Sequence, residues 1–258
     1  MKNWVIRVGA WLASTAIAVL VLSGCATTAR LDARFDADTV GSPPSTSPPP
    51  SPPNDVLSFT ATFVTPMVVA PDPDGGRWLR IVPTPSFLTA PDFRRRAILA
   101  TSDTFTTNPP REIRGHLRLR VTGTGTVIVG LRPLQGSEFT DFIAGFLVGS
   151  HPTGGGVYLL PGFTLERVED NTFSFSPAGR LANYQPGTVI DINWSIDQAA
   201  RRVAATSGGR SSHDVSFPNA SGAVATVPIR QLSVWVWLER PGPDTQLFLD
   251  RLFAEEIQ

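Results

Sequence analysis

The chain has only one cysteine, Cys25, among its 258 residues. Without a second thiol no intramolecular disulfide can form, even in an oxidising compartment, so a folded domain must be stabilised by a hydrophobic core. A chain of this length can bury such a core. The 22 basic and 22 acidic residues balance, so no strongly basic region indicates nucleic-acid binding.

The chain also lacks the motifs of common hydrolases and metalloenzymes. It has no Gly-x-Ser-x-Gly turn, and it has no Glu-x-Asp-x-Glu run or near relative, the pattern by which sandwich-type glycosidases place two carboxylates on one strand face. Its three histidines show no metal-ligand spacing. Ser211, His213 and Asp214 are close in sequence, but neighbouring residues point apart and cannot form a relay. We therefore assign no catalytic residue and lean towards a protein that is not an enzyme.

The first 24 residues have the features of an export signal. Lys2 and Arg7 give a positive start, residues 8–22 are apolar or small, and Leu22-Ser23-Gly24-Cys25 follows. This pattern resembles the lipobox of bacterial lipoproteins. The resemblance implies cleavage before Cys25 and attachment of acyl chains, palmitate among them, to that residue. Ala26, where an Asp would retain the protein at the inner membrane, points to the outer membrane.

Two alternatives stay open for this segment: a plain signal peptide, or an anchor helix with an incidental cysteine. The apolar run is short for a membrane-spanning helix. Removing Lys2 and Arg7 with the signal leaves 20 basic and 22 acidic residues, a net charge of −2.

A proline-rich segment, GSPPSTSPPPSPP, occupies residues 41–53, and seven of its thirteen residues are proline. Proline lacks the amide donor, so this segment favours an extended spacer with a reach of about 40 Å. We assign residues 1–24 to the signal peptide, 25–54 to a disordered tether and 55–258 to one folded domain.

From residue 55 onward, short segments of alternating apolar and polar residues are separated by Gly/Pro turns. Ile190, Ile192, Trp194 and Ile196 give the clearest period of two, which places Trp194 in the core. Leu57–Val64 and Leu117–Val121 also alternate, the second with Arg118 and Arg120 facing outward. Many short strands predict an all-β antiparallel β-sandwich.

Residues 137–149, SEFTDFIAGFLVG, fit helical spacing and also a strand. We favour a hairpin, because the HPTGGG run that follows suits a turn before GVYLLPGF.

Two runs resemble jelly-roll domains of the concanavalin-like, carbohydrate-binding type. They are TVIDINWSIDQAARRVAATSGG, read as a hairpin, and TQLFLDRLFAEE, similar to a closing strand that reads aliphatic-Asp-x-aliphatic. The resemblance implies that the first and last strands pair, which would bring Leu57–Val64 beside Thr245–Phe253. Carbohydrate is the ligand class it implies.

Trp235 and Trp237 lie two apart in QLSVWVWLE, so they share one strand face, about 7 Å from each other. They could stack on a sugar or anchor a partner protein. The alternative, which we favour, is that both rings are covered.

Asp72 and Asp74 in PDPDGG, joined by Asp250, could hold a structural calcium ion, since carboxylates in a tight turn suit calcium. An ordinary Asp-Gly turn is favoured by the same residues. We expect no other cofactor.

Arg111-Glu112-Ile113-Arg114 resembles the Arg-x-Glu-Leu-Arg strand of jelly-roll polysaccharide lyases, but the partner His and Tyr motifs are absent. The sequence thus predicts a membrane-anchored envelope lipoprotein with a non-catalytic binding module for carbohydrate. The alternatives are a polysaccharide-degrading enzyme and a protein-interaction component of an envelope assembly.

Overall fold

The computed structural model describes residues 27–44, 60–61, 67–82, 96–101, 105, 110–133, 141–149, 155–164, 179–208, 210–216, 229–238 and 244–258. These residues form strands and turns without an α-helix. In this part of the chain, no helix is long and apolar enough to span a membrane.

The strands are β1 (Thr27–Arg34), β2 (Thr60–Ala61), β3 (Met67–Pro71), β4 (Arg77–Ile81), β5 (Arg96–Thr101), β6 (Glu112–Thr122), β7 (Thr126–Pro133), β8 (Asp141–Gly149), β9 (Gly156–Thr164), β10 (Gly179–Asn183), β11 (Val189–Asp197), β12 (Arg202–Ser207), β13 (Arg210–Ser216), β14 (Leu232–Leu238) and β15 (Gln246–Ile257).

The strands form two antiparallel sheets. Sheet A has the order β13-β12-β11-β6-β15-β4-β3, and β1 also pairs with β15. Sheet B has the order β10-β9-β8-β7-β14-β5-β2. The predicted all-β antiparallel sandwich is therefore confirmed, and its jelly-roll character follows from the non-sequential strand order.

The core lies between the sheets and is built from alternate residues of each strand. In β11, Ile190, Ile192, Trp194 and Ile196 are buried in the core, as their period predicted. Their neighbours Asp191 and Asn193 face outward and are exposed. A strand whose one face is buried must alternate in this way.

In the ambiguous run 137–149, the described residues 141–149 form a strand rather than a helix. β8 pairs with β9 along its length, from Asp141 with Thr164 to Gly149 with Gly156. β11 and β12 form the second predicted hairpin, with Asp197 opposite Arg202.

The assignment of residues 25–54 to a disordered tether is wrong for its first part. Thr27–Arg34 forms β1 and pairs with β15, and Leu31, Ala33 and Phe35 are buried. These apolar residues alternate with Arg30, Asp32 and Arg34, a period of two that is typical of a strand. The segment was assigned to the tether because it directly precedes the proline-rich run. Residues 45–53 lie outside the described part of the chain. They connect β1 in sheet A to β2 in sheet B, so the folded domain begins before them.

The predicted pairing of Leu57–Val64 with the last strand is wrong as well. Only Thr60–Ala61 of that run is described, and it pairs with β5 in sheet B. β15 instead pairs with β1, β4 and β6. The first and last described strands do pair, but the first strand is the one that follows Cys25.

Candidate functional site

The outward face of sheet A carries polar side chains in rows across adjacent strands. His116 of β6 lies between Asn193 of β11 and Phe253 of β15. Arg118 lies one step along β6, between Asp191 and Arg251. Adjacent strands are about 4.8 Å apart and alternate residues of one strand about 7 Å apart, so these side chains are close neighbours both across and along the strands. We call His116, Arg118, Asp191, Asn193 and Asp250 the polar strip.

Arg118 is the centre of the polar strip. Its Nη1 donates to Asp250 Oδ2 at 2.9 Å, and its Nε lies 3.7 Å from Asp191 Oδ1. That Nε is buried and has no hydrogen-bond acceptor among the described residues. The side chains of Arg118 and Asp191 are 43% and 53% exposed, so both remain accessible to a ligand.

His116 contacts the same carboxylate, with Nε2 3.1 Å from Asp191 Oδ1. The two residues are 75 positions apart in sequence and meet because β6 and β11 are paired. Imidazole, carboxylate, guanidinium and the Asn193 amide thus lie side by side on an open sheet face. Together they supply both donors and acceptors, as recognition of a hydroxyl-rich ligand requires.

Next to the polar strip, the buried guanidinium of Arg120 packs against two aromatic rings. The Arg120 guanidinium carbon lies 5.2 Å from the centre of the Trp78 ring and 4.8 Å from that of Phe248. Arg118 reaches the same Trp78 ring at 5.5 Å. Arg120 was predicted to face solvent with Arg118; it does point outward, but Trp78 and Phe248 cover it and leave it buried.

The three predicted calcium ligands each have a different surrounding. Asp72 is buried and its Oδ2 lies 2.6 Å from Arg120 Nη2, while its Oδ1 accepts the Asp74 N–H at 2.7 Å. The Asp74 side chain is 78% exposed. Asp250 is bound by Arg118. In the described part of the chain, no group of three His, Cys, Asp or Glu side chains is placed to hold a metal ion. Calcium binding stays the untested alternative to an ordinary Asp-Gly turn.

The turn containing Asp72 is an Asx turn. Gly75 and Gly76 have φ values of 101° and 83°, a region that favours glycine. Asp72 thus has a structural role, because it orders the turn between β3 and β4 and neutralises Arg120.

Trp235 lies on the outward face of sheet B and is 9% exposed. Its Nε1 donates to Ser233 Oγ at 3.0 Å, Phe142 packs edge-on at 5.9 Å, and the Arg132 guanidinium lies 5.3 Å from the ring centre. Trp237 pairs with Ile128 through its backbone, and its side chain lies outside the described residues. Sugar stacking on this pair stays a prediction, and little of the Trp235 ring is accessible to a ligand.

The remaining predicted features are the lyase-like run and Cys25. Arg114 of the lyase-like run binds Glu112 through two hydrogen bonds of 3.0 Å, and Arg111 is exposed at the strand end. Cys25 lies outside the described residues, so its lipidation also stays a prediction.

The polar strip was missed by sequence reasoning. Arg114-x-His116-x-Arg118 and Asp191-x-Asn193-x-Ser195 each show outward polar residues at period two. The sequence does not reveal that these two strands are neighbours. A search for polar residues on the outward positions of all strong strands would have selected both runs.

No family model and no curated protein matches this chain. It is similar to a solved structure from a study of endo-acting O-glycanases that human gut bacteria express to initiate mucin breakdown. The identity is 11%, the match covers 90% of this chain and 100% of that one, and the TM-score is 0.54. This likeness establishes a shared fold.

Two further structures are more distant. Alginate lyase A1-II′ is 8% identical over 74% of this chain and 83% of that one, with a TM-score of 0.44. A sialidase is 12% identical over 73% of this chain, with a TM-score of 0.44, and this chain spans only 16% of its length.

Proposed function

We propose that this protein is a lipid-anchored envelope protein of bacteria that binds a polysaccharide without cleaving it, through the polar strip of sheet A. The observation that carries the proposal is the placement of His116, Arg118, Asp191 and Asn193 side by side on an exposed sheet face. Sugar hydroxyls pair with such groups as donors and acceptors, and a flat row of them suits an extended chain.

Fold likeness alone does not assign activity, since one fold hosts many functions. The site itself supports binding more than catalysis, because Arg118 and Asp191 are ion-paired and accessible, and the surface around them is open. The lipobox pattern that ends at Cys25 supports the anchor, and Ala26 supports the outer membrane as its location.

A glycan array tests this proposal. Wild-type protein and an Arg118→Ala/Asn193→Ala variant are compared, with Arg180→Ala as the control, because Arg180 is exposed on sheet B. We expect wild type and the control to be retained on the same glycans and the double variant to lose at least tenfold in affinity. Equal retention of all three proteins, or no retention on any glycan, contradicts the proposal.

An enzyme acting on polysaccharide is the second candidate. The contact between His116 Nε2 and Asp191 Oδ1 favours it, since a carboxylate-oriented imidazole beside an arginine can serve as a general base. Incubation with alginate, pectin and glycosaminoglycans, followed by ultraviolet absorbance of unsaturated products, tests lyase activity. Product formation by wild type that is lost in His116→Ala favours the enzyme. Absence of product on all three leaves binding as the function.

A further inference from the structure

We propose that β1 seats the domain directly on the bilayer, with the arginine-bearing end of sheet A against anionic lipid headgroups. This inference rests on the lipid anchor of the proposed function. Ala26 alone separates Cys25 from Thr27, where β1 begins. Two residues of extended chain span about 7 Å, so an anchored Cys25 holds this strand end within that distance of its lipid.

β1 is a paired strand of sheet A rather than a flexible linker. It pairs with β15 from Thr27 opposite Ile257 to Arg34 opposite Arg251. Leu31 and Ala33 belong to the core, and Arg30 forms an ion pair with Glu256, whose side chain is fully buried. The anchor is therefore attached to the folded sheet itself, and the proline-rich segment follows β1 in the sequence instead of separating it from Cys25.

The strand register identifies which end of sheet A is near the anchor. Thr27 pairs with Ile257, Ile257 with Glu112, and Glu112 with Asp197. The turn 198–201 follows Asp197 and returns the chain to Arg202. Five strand ends therefore lie side by side with Thr27 along one end of sheet A: those of β1, β6, β11, β12 and β15.

This end carries three exposed arginines, Arg111, Arg202 and Arg230. Gln198 joins their segments: its N–H donates to Arg111 O at 3.4 Å, and its Oε1 accepts the N–H of Ile229 at 2.9 Å. Arg111, Arg230 and the turn that leads to Arg202 are thus held on one surface.

Two carboxylates at the same end are paired with other arginines, because Glu112 binds Arg114 and Glu256 binds Arg30. Asp197, which accepts the backbone N–H of Ala200 at 2.8 Å, and Glu255 lie at this end as well, so the three exposed arginines outnumber the two remaining carboxylates. Each arginine near an anionic bilayer surface adds to membrane attraction, and guanidinium binds phosphate in a bidentate manner. Charge and anchor position therefore select the same end of the domain.

With this end of the domain on the bilayer, β11 extends away from the membrane. Of its nine residues, Asp197 lies nearest to the membrane and Val189 farthest from it. Nine residues of strand span about 30 Å. The polar strip then stands beside the membrane with its open face directed sideways, where a long polymer in the envelope can reach it.

Fluorescence quenching by headgroup-labelled lipids tests the orientation. The chain beginning at Cys25 is coupled through that cysteine to a maleimide lipid in phosphatidylglycerol-containing vesicles, so the test does not depend on lipidation in cells. A fluorophore is placed through a non-canonical amino acid at Ala199 or at Gln185, both exposed and at opposite ends of sheet A. We expect strong quenching at 199 and little at 185.

Two controls sharpen the test. Insertion of 20 Gly/Ser residues after Ala26 should reduce the difference in quenching between the two positions, because the anchor then no longer holds one end of the domain at the membrane and only the arginines favour it. Arg111→Gln/Arg230→Gln should lower quenching at 199 at least twofold. Equal quenching at 199 and 185 in the uninserted protein, or no effect of the arginine variant, overturns the inference. An unmodified Cys25 in the exported protein, found by mass spectrometry, would instead overturn the proposed anchor.

Discussion

The indole ring of Trp194 occupies the space that a side chain at Gly115 would need. The two residues are directly opposite each other on β11 and β6, facing the core. A Cβ added at Gly115 would lie 1.9 Å from Trp194 Cζ2 and 2.6 Å from the carbonyl oxygen of Phe253. Gly115 is therefore required by close packing rather than by backbone conformation.

Gly115→Ala should destabilise the domain by about 1–3 kcal/mol, because the ring must shift within a packed core. Urea unfolding followed by tryptophan fluorescence measures the change. Gly155→Ala is the control, since its Cβ would meet only ordinary contacts at 3.5 Å. A Gly115→Ala protein as stable as wild type would show that the ring is not held where the structure places it.

The buried ion pair between Arg30 and Glu256 should contribute more than an exposed one. Arg30→Ala leaves the Glu256 carboxylate buried without its cation, which costs about 3–5 kcal/mol. Arg114→Ala removes a partner of Glu112 at the surface, and we expect a loss of less than about 1 kcal/mol. Chemical denaturation of both variants makes the comparison, and equal losses would contradict the larger contribution of the buried pair.

Asp32 should make stability depend on pH in the acid range. Burial raises the pKa of its carboxyl, but hydrogen bonds from Arg34 and Arg251 outweigh burial and hold the pKa below its ordinary value. Its contribution is therefore present above the unfolded pKa of about 3.9 and is lost as pH falls through the lower folded pKa. Asp32→Asn should lose stability at pH 7 and show a smaller further loss between pH 4 and pH 2. Urea midpoints at these pH values measure it; parallel curves for the two proteins would exclude the effect.

Removal of divalent cations should leave the melting temperature unchanged. The Arg120 guanidinium already neutralises Asp72 at 2.6 Å, and a calcium ion there would have to displace it. Differential scanning calorimetry with EDTA and with excess calcium provides the measurement. A rise in melting temperature with calcium that is lost in Asp74→Asn would instead establish a calcium site.

Local pattern was enough to predict much of the fold. The alternation of Ile190, Ile192, Trp194 and Ile196 predicts both the strand and its buried face, because a sheet with one buried face forces a period of two. The hairpin of β8 and β9 followed from the glycines between them. The pairing of β1 with β15 could not be predicted in this way, since its two strands are more than 200 residues apart.

The same limit applies to the site. His116 and Asp191 become neighbours only through the pairing of β6 with β11, which no local signal encodes. Arg120 was expected to be exposed because its strand alternates, yet Trp78 from another strand covers it. Position on a strand face can be deduced from sequence, whereas the neighbours across that face depend on strand order.

Ligand-induced shifts in the nuclear magnetic resonance signals of the tryptophan indole groups test the central claim most directly. Trp78 borders the polar strip and Trp235 lies on the other sheet. On titration with a glycan retained by the wild-type protein, we predict that the Trp78 indole signal shifts and the Trp235 signal does not. A shift of Trp235 with Trp78 unchanged would contradict binding at the polar strip.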